Sequence, residues 1–414
     1  MSQYFKPISI SLSPNVEKDD LKLALKLIFS PWRWIKGRAV SQLEEEFRKY
    51  LGVKYAFSFN SGRSALYAIL KSLNIGDKSD VLLQAFTCNA AVNPVLWAGL
   101  NPVYIDCENN YNLDIDDLKR KITKNAKILM VQHTFGCPAQ MDEILKFSRD
   151  NNLILIEDCA HSLGAQYNGK KTGTLSKAAF FSFSRDKIIS SVYGGMAVTN
   201  DDELAKNLHS IQKEFKHPSY LWTLQQLLHP VLLNYIILPI YNFIDLGKIF
   251  LVLSQYLGIL SKAVHKKEKK GERPFYFPKK MPNALALLAL NQFKKLERFN
   301  EHRRIISDFY LKRLQDSSFI LPEKENNVFL RFSIRHNLAH QIISYAWKKE
   351  NILIGDWYTT PIAPDDTNLR KMGYISGTCP NAEKLSKTTL NLPTHINISL
   401  KDAERIVDFL LTWK

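Results

Sequence analysis

The feature that most constrains this chain is a regular alternation of short apolar runs with helical patterns between residues 55 and 199. Apolar runs bounded by turn residues are typical of buried strands, and apolar positions at helical spacing are typical of helices. Strands separated by helices predict a mostly parallel sheet with right-handed crossovers, and therefore an α/β fold. We predict strands at 55–59, 81–85, 103–106, 128–132, 153–157, 178–182 and 196–199, and helices at 65–73, 89–98, 115–122 and 141–150.

Outside this alternation the chain changes character twice. Residues 15–52 have helical spacing, residues 281–316 have the pattern of one long charged helix, and the tail from about residue 329 mixes short strands with helices. Between the alternation and the long helix lies an apolar, helical insert. We predict a large α/β domain at 1–210, the insert at 211–275, and the long helix with a small C-terminal α+β domain at 276–414.

The composition excludes a disordered chain and suggests an anionic partner. The 414 residues are 45% hydrophobic and 11% aromatic, which is ample for a core in two or three domains. With 56 Lys and Arg against 40 Asp and Glu, the net charge is +16, which suits nucleic acid, a membrane surface or a phosphorylated ligand. The basic residues do not gather on one predicted helix and form no nucleic-acid-binding motif, so we expect no nucleic-acid partner.

The five cysteines carry no paired spacing. None forms a Cys-x-x-Cys pair and their number is odd, which argues against a disulfide framework and against a zinc ribbon. We therefore expect no metal and a reducing, cytoplasmic setting. The first residues show no basic stretch followed by a long apolar stretch, so we predict no signal peptide.

Residues 60–64, Asn-Ser-Gly-Arg-Ser, connect a predicted strand to a predicted helix. A helix N-terminus presents free backbone N–H groups and partial positive charge, Gly62 allows close approach, and Arg63 can add a charge-assisted bond. This is a suitable anion site, and a phosphate would fit it. An ordinary capped helix start has the same residue types, so the alternative stays open for this motif alone.

Two further positions can carry chemistry. Asp158 ends a predicted parallel strand, where open α/β sheets bind ligands, although an Asp can also simply cap the next helix. Lys187 stands among small polar residues before the pair Gly194-Gly195, and a desolvated Lys can lose its proton and form a Schiff base. Taken alone, it could equally be a surface lysine.

The order of these parts is more informative than any one of them. A phosphate cradle, a strand-end Asp and a Lys follow each other along the chain, in the arrangement that a pyridoxal 5'-phosphate (PLP) enzyme needs. In such an enzyme the Asp pairs with the pyridine nitrogen, and the Lys forms the Schiff base and moves the proton. We therefore predict PLP as the cofactor, with Lys187 and Asp158 as the catalytic residues.

At this point the chain resembles the DegT-type (DegT/DnrJ/StrS) sugar aminotransferases, which have the aspartate aminotransferase fold (fold type I). The resemblance covers nearly the whole chain outside the apolar insert. It rests on seven short stretches in the right order, namely 36–47, 61–66, 98–103, 135–144, 157–161, 182–195 and 380–393.

The resemblance implies a role for each matching position. The amides of Arg63 and Ser64, beside Gly62 and together with Ser182, would bind the cofactor's phosphate. Lys187 would be the Schiff-base lysine and Asp158 would hold the pyridine nitrogen. His161 would lie near the cofactor's phenolic oxygen, and Cys88 occupies the position where many members have an aromatic residue that stacks on the cofactor ring.

Members of this family usually transfer an amino group, commonly from glutamate, to a keto carbon of a nucleotide-linked sugar. The resemblance therefore implies a transaminase in surface-glycan or related sugar biosynthesis. It also implies a homodimer with shared active sites. A dehydratase branch of the fold has His in place of the lysine, so Lys187 favours transamination.

The chain also departs from the family's pattern. Cys88 replaces an aromatic residue, Arg63 replaces a Thr, Tyr193 stands where an acidic residue is usual, and residues 277–281 replace the partner subunit's Asn-Tyr-Arg run. These departures leave a second hypothesis open: a non-catalytic relative that binds PLP or sugar as a sensor or membrane-associated scaffold.

The insert contains residues 218–244, a run of 27 residues with no Asp, Glu, Lys or Arg, followed by a second apolar run at 249–260. The first run is long enough to span a bilayer, but a single pass would separate two parts of one fold. A helical cap over the site or dimer is one expectation. Peripheral contact of 218–264 with the inner membrane face, aided by the lysines at 262–270, is the other.

Overall fold

The computed structural model describes residues 6–413, and a seven-stranded sheet forms the centre of the large domain. In spatial order the strands are β2 (Tyr55–Phe59), β11 (Gly195–Thr199), β10 (Ala178–Ser182), β7 (Ile154–Asp158), β6 (Ala126–Gln132), β3 (Asp80–Gln84) and β5 (Asn101–Ile105). Within this sheet only β11 runs antiparallel to its neighbours. The predicted mostly parallel sheet is confirmed, and each predicted strand lies within two residues of the observed one.

Helices cover both faces of this sheet, because successive strand residues point to opposite faces and both are apolar. Phe180 packs in one core layer, while its neighbour Phe181 packs in the other. The helices of the large domain and its N-terminal extension are α1 (Lys18–Ile28), α2 (Ala39–Leu51), α3 (Gly62–Ser72), α4 (Asn89–Trp97), α5 (Ile115–Lys121), α6 (Met141–Asp150) and α7 (Asp202–Glu214).

The C-terminal part builds a separate apolar core around short strands. Strand β12 (Phe332–Arg335) pairs antiparallel with β15 (Thr389–Leu392), and β1 (Ile8–Ser9), from the N-terminus, pairs parallel with β13 (Ile352–Leu353). The helices of this part are α11 (Leu296–Leu314), α12 (Ala339–Tyr345), α13 (Pro380–Thr388) and α14 (Leu400–Leu410). The boundaries predicted at residues 210 and 275 stay predictions, although β1 belongs to this C-terminal core.

Two predicted helix limits are wrong. The single helix expected over 281–316 is two helices, α10 (Asn283–Phe293) and α11, separated at Lys294 and Lys295. The helix expected from residue 65 begins at Gly62, because Ser61 caps it, so the Gly-Arg-Ser motif is its first turn. Two further short strand pairs complete the topology: β4 (Thr87–Cys88) pairs with β14 (Ile362–Ala363), and β8 (Gln166–Tyr167) pairs with β9 (Lys170–Lys171).

The insert consists of α8 (Tyr220–Leu232), a helical turn that continues to Ile240, and α9 (Leu246–Tyr256). Helix α8 packs against α1 and α10, while Leu233, Ile237 and Leu260 form a small core of their own. The continuous helical stretch Tyr220–Ile240 is the one described helix whose length and composition would allow it to cross a membrane. Half of its most apolar 18-residue stretch is buried in the protein. Core helices of soluble proteins have the same length and composition, so the helix is weak evidence for a membrane span.

Candidate active site

The parallel strands end at a cavity of about 360 Å³, a size typical of small-ligand sites. Asp158 is the last residue of β7, Ser182 the last of β10, and α3 begins shortly after β2 ends. Of the eight site residues predicted from sequence, the cavity wall contains seven: Gly62, Arg63, Cys88, Asp158, His161, Ser182 and Lys187. The eighth, Ser64, is not in that wall.

Lys187 lies in the loop between β10 and β11, and two other residues hold that loop from behind. The Asn15 side-chain amide donates to the Lys187 carbonyl oxygen. Arg303, which is buried, donates to Asn15 Oδ1 at 2.8 Å and to the Ile188 carbonyl at 3.1 Å. Burial lowers the pKa of the Lys187 ammonium, against the opposing effect of Asp186. The lysine is thereby prepared to act as a nucleophile and a proton carrier.

Asp158 is buried and accepts one hydrogen bond from the Ala160 backbone N–H at 2.9 Å. Burial raises the pKa of its carboxyl to about 6, although the Ala160 bond and Lys187 act in the opposite direction. A carboxylate held in this way is stabilised by a cationic partner. The protonated nitrogen of a pyridine ring is such a partner, so Asp158 fits the PLP group that the sequence predicts.

The start of α3 forms a close-packed cradle beside β11. A side chain on Gly195 would place its Cβ 2.4 Å from the Gly62 backbone nitrogen, so the helix can approach the strand only because residue 195 is Gly. Gly62 and Arg63 are the first two residues of α3, where backbone N–H groups have no partner within the helix. The close packing and the free N–H groups fit the phosphate cradle that the sequence predicts, and phosphate binding here stays a prediction.

The polar groups of Ser64 already form hydrogen bonds within the start of α3 and the loop before it. Its backbone N–H donates to Ser61 Oγ at 3.1 Å, and its hydroxyl donates to Asn60 Oδ1 at 2.7 Å. The Ser64 amide is therefore the one that the helix cap satisfies, and its proposed bond to phosphate stays a prediction. Ser182 does line the cavity, and its hydroxyl reaches Ser184 Oγ at 3.3 Å.

His161 is fixed between aromatic rings. Its ring lies 5.9 Å from that of Phe135 and 5.6 Å from that of Trp357, centroid to centroid, and nearly parallel to both. Nδ1 accepts the Phe135 N–H at 3.2 Å, which places the imidazole proton on Nε2, facing Tyr358 Oη at 3.4 Å. Burial holds the pKa of His161 well below its usual value. The imidazole is therefore neutral, and Nε2–H is its donor.

Cys88 ends β4 and caps α4, accepting the Ala90 N–H on Sγ at 3.4 Å. Burial raises the pKa of this thiol, so it stays protonated. Strand β14, which pairs with β4, anchors this part of the wall to the C-terminal part of the chain. Cys88 offers no ring, but Trp357 places one within 4.7 Å of Lys187 Nζ, measured to the ring centroid.

Sequence reasoning missed several groups at the cavity. Trp357 and Tyr358 come from a loop without a motif, and Gln132 ends β6. Arg185 lies in the matched stretch 182–195, and its charge two residues before Lys187 could have indicated from the sequence that it lies at the site. Arg331 lies behind Trp357, with its guanidinium carbon 3.2 Å from the ring centroid and its Nη2 3.3 Å from Asp186.

One buried group of side chains could in principle hold a metal ion: His133, Glu157 and Cys159. However, Glu157 accepts bonds from the Gly173, Leu175 and Ser176 backbone N–H groups and contacts His133 at 3.1 Å. The Glu157 carboxylate therefore already accepts hydrogen bonds from the backbone of the loop after β9, and these bonds fix that loop in place. The predicted absence of a metal stays a prediction.

Comparisons with known proteins identify the family of this chain. A sequence model of the DegT/DnrJ/EryC1/StrS aminotransferase family matches residues 14–220 and 251–411, leaving 221–250 of the insert unmatched. GDP-perosamine synthase of Caulobacter vibrioides is 36% identical over 208 residues, which are 50% of this chain and 56% of that protein. The chain thus spans about half the length of the first curated relatives that it matches.

Other relatives match over nearly their whole length. The UDP-N-acetyl-3-dehydro-alpha-D-glucosamine 3-aminotransferase of Acidithiobacillus ferrooxidans is 26% identical over 395 residues, covering 94% of this chain and 92% of that protein. The solved structure of Helicobacter pylori PseC, an aminotransferase of pseudaminic acid biosynthesis, superposes with a TM-score of 0.76 at 21% identity, covering 98% of this chain and 99% of that one. The structural likeness confirms the predicted fold type I. Because the family model matches most of the sequence, this chain belongs to the DegT/DnrJ/EryC1/StrS aminotransferase family.

Proposed function

We propose that this chain is a PLP-dependent transaminase that moves an amino group, from glutamate, to a keto carbon of a nucleotide-linked sugar in glycan biosynthesis. The observation that carries the proposal is the presence of Lys187, Asp158 and the start of α3 in the wall of one cavity. A base, a ring-nitrogen partner and a phosphate cradle are the three groups that PLP needs.

Each residue of the site would have its own role in binding the cofactor or moving a proton. Bound PLP would supply the electron sink that transamination needs. Asp158 would hold the pyridine nitrogen, and the first residues of α3 with Ser182 would hold the phosphate. Lys187, whose burial favours the neutral amine, would carry the proton between substrate atoms. His161 would donate its Nε2–H to an oxygen atom of the bound ligand. This nitrogen faces Tyr358 Oη.

Lys187→Ala tests this division of roles. We expect PLP to attach covalently to the wild-type protein and not to the variant, measured as retention of label after borohydride reduction and peptide mapping to residue 187. Glutamate-dependent amination should fall by at least about a hundredfold, because proton transfer by a placed side chain contributes that much or more. Lys177→Ala, an exposed lysine paired with Asp201, is the control. Unchanged labelling in the Lys187 variant would refute the proposal.

The sugar substrate is proposed from the relatives. The names of two relatives refer to a GDP-linked and a UDP-linked sugar. A panel of GDP-, UDP- and dTDP-linked keto-sugars, each with glutamate, would identify the acceptor. The alternative function, a non-catalytic sensor or scaffold, is motivated by Cys88 and by the altered 277–281 segment. It would be favoured if PLP attaches to Lys187 but reacts with no amino donor.

We also propose that the chain works as a homodimer in the cytoplasm and touches the inner membrane face through 218–264. The support for membrane contact is an exposed apolar face on α9. Ile249, Val252 and Tyr256 are 57%, 67% and 84% exposed, and they follow each other at helical spacing. The opposite side of the same helix supplies Leu251 and Gln255 to the cavity wall. Helix α9 thus separates the site from this apolar surface.

The charges beside this face favour a membrane over a second copy of the chain as the partner. Lys262, Lys266, Lys267 and Lys270 are exposed on the segment that follows α9, and no ion pair involves them among residues 6–413. Protein interfaces are depleted in lysine, whereas an anionic bilayer attracts each basic residue by about 1 kcal/mol. Of this surface, Ile249 lies in the stretch 221–250 that the family model leaves unmatched, whereas Val252, Tyr256 and the four lysines lie within the matched range.

Vesicle flotation tests the membrane contact. The full chain should float with vesicles of phosphatidylcholine and phosphatidylglycerol, and much less with phosphatidylcholine alone or at high salt. Val252→Glu with Tyr256→Glu should abolish flotation, whereas Ile375→Glu, at an equally exposed site in the C-terminal part, should not. If the double variant floats like wild type, or if it instead loses only its dimeric mass in solution, the membrane proposal is wrong.

A further inference from the structure

Two arginines share one corner of the cavity, and they differ in their charge partners. Arg63 and Arg185 both line the cavity and both approach Tyr193. Arg63 forms an ion pair with Glu268, with 2.8 Å between Nε and Oε1. Among the described residues no carboxylate lies within ion-pair distance of Arg185, and the Nε of Arg185 is buried without a hydrogen-bond partner.

The surroundings of Arg185 hold it in place without neutralising it. Its Nη2 donates to the Ser261 hydroxyl, and its guanidinium carbon lies 5.6 Å from the Tyr193 ring centroid. The nearest carboxylate in sequence, Asp186, is turned to Arg331 at 3.3 Å. Burial lowers the pKa of Arg185 and Arg63 adds to that effect, whereas Tyr193 and Asp186 act in the opposite direction. Arg185 therefore has no ion-pair partner among residues 6–413, and an unpaired charge is costly in a buried site unless an anion binds there.

We propose that Arg185, with the paired Arg63 beside it, forms a phosphoryl-binding subsite of this cavity. The inference rests on the proposed function, because it assumes that the ligands carry phosphoryl groups. The guanidinium of Arg185 suits a phosphoryl group, since its planar N–H groups can bond two phosphate oxygens. Arg185 lies in the matched stretch 182–195, which also contains Lys187, and Arg63 lies in the matched stretch 61–66.

Two ligands carry this chemistry, the phosphate of PLP and the diphosphate of a nucleotide-linked sugar. The position of Arg63 at the first turn of α3 places the corner beside the phosphate cradle. The contacts of Arg63 and Arg185 with Ala263 and Ser261 place it equally beside the insert, where the cavity wall continues to His229 and Val264. The experiment therefore measures the binding of both ligands, PLP and a nucleoside diphosphate.

The test compares Arg185→Gln, Arg185→Lys and the exposed control Arg370→Gln. Binding of PLP and of pyridoxal, which lacks the phosphate, is followed by absorbance. Binding of UDP and GDP to the PLP-loaded protein is followed by calorimetry. Loss of a charge-assisted bond should weaken one of these phosphorylated ligands by about tenfold or more, while pyridoxal binding stays unchanged and Arg185→Lys recovers part of the loss.

The outcomes separate the two sources and the two proposals. Weaker PLP binding assigns the subsite to the cofactor, and weaker UDP or GDP binding with normal PLP binding assigns it to the sugar diphosphate. If Arg185→Gln binds PLP, UDP and GDP like Arg370→Gln, the subsite is refuted. Covalent attachment of PLP to Lys187 at saturating cofactor would still support the transaminase in that case, and equal melting temperatures of the three variants would exclude misfolding.

Discussion

Arg63 Nε lies 2.8 Å from Glu268 Oε1, and this buried ion pair joins the start of α3 to the lysine-rich segment 262–270 that follows α9. The two atoms lie off the N–H direction, so the contact is an ion pair and not a linear hydrogen bond. Arg63 also donates to the Ala263 carbonyl at 2.9 Å, and Glu268 Oε2 accepts the His265 N–H at 2.8 Å. Segment 261–271 is thereby closed over the start of α3.

Replacing Glu268 by Gln should therefore affect both stability and the cradle. The substitution leaves the Arg63 charge buried without its partner, and breaking such a pair costs about 3 kcal/mol. We expect a lower midpoint in urea unfolding and weaker PLP binding. The exposed neighbour Glu272→Gln serves as the matched control. Equal unfolding midpoints for the two variants would show that the ion pair does not stabilise the fold.

We expect the stability of the cofactor-free protein to depend on pH through the buried carboxyl of Asp158. The pKa of this carboxyl is raised to about 6, above its ordinary 3.8. In the acid range the folded state therefore holds a proton that the unfolded state releases, so stability falls as pH rises from about 4 to about 6, by roughly 3 kcal/mol. Asp158→Asn should remove this fall, as measured by melting temperatures between pH 4 and pH 7. A variant whose profile still parallels wild type would contradict the assignment.

Adding PLP should reverse the penalty at Asp158, because a protonated ring nitrogen compensates the buried carboxylate. We expect the cofactor to raise the melting temperature of the wild type more at pH 7 than at pH 5. The same comparison on Asp158→Asn should show little difference between the two pH values. This measurement separates the ring-nitrogen role of Asp158 from a purely structural one.

Trp357 is expected to supply the aromatic surface that Cys88 does not. Its ring lies 5.6 Å from the His161 ring and 4.7 Å from Lys187 Nζ. Trp357→Leu should weaken PLP binding by up to about tenfold, because aromatic stacking contributes up to about 1.5 kcal/mol, and Trp357→Phe should retain most of the affinity. Trp32→Leu, at a 73% exposed position, is the control. Normal PLP affinity in Trp357→Leu would remove this residue from the site.

Gly195→Ala tests the close packing under the cradle. The added Cβ would lie 2.4 Å from both the Gly62 nitrogen and the Ser61 carbonyl carbon, so the start of α3 must move. We expect a stability loss of about 1–3 kcal/mol and impaired PLP binding. At Gly76 the closest atom would be Ser79 Oγ at 3.9 Å, so Gly76→Ala should be tolerated. Similar behaviour of the two variants in unfolding and PLP titration would contradict this view of the cradle.

The predicted elements of the sheet match the structure because their signal is local. Strand β10 and helix α6 have the predicted limits, since their apolar positions and flanking turn residues are neighbours in sequence. The limits at 281–316 were wrong because both halves of that stretch have helical spacing, and periodicity alone does not report the break at Lys294 and Lys295.

The candidate site was predictable where it follows from strand ends. Asp158 and Ser182 reach the cavity because they end parallel strands, and Gly62 because it opens the following helix. Trp357 was not predictable, because its loop comes from the C-terminal part of the chain and carries no periodic pattern.

The sequence by itself determined the alternating α/β core, the order of the predicted cradle, Asp158 and Lys187, and the resemblance to the family, because each motif is local and the order of motifs is read directly along the chain. The tertiary structure decided which charges are paired. The sequence shows 262–270 as a basic stretch with one Glu, but not that Glu268 is buried and pairs with Arg63, which also bonds Ala263 from 200 residues away. Among residues 6–413, the same packing leaves Arg185 without a carboxylate within ion-pair distance and leaves Val252 facing outward. Pairing and exposure depend on which surfaces meet in three dimensions, and no spacing along the chain encodes them.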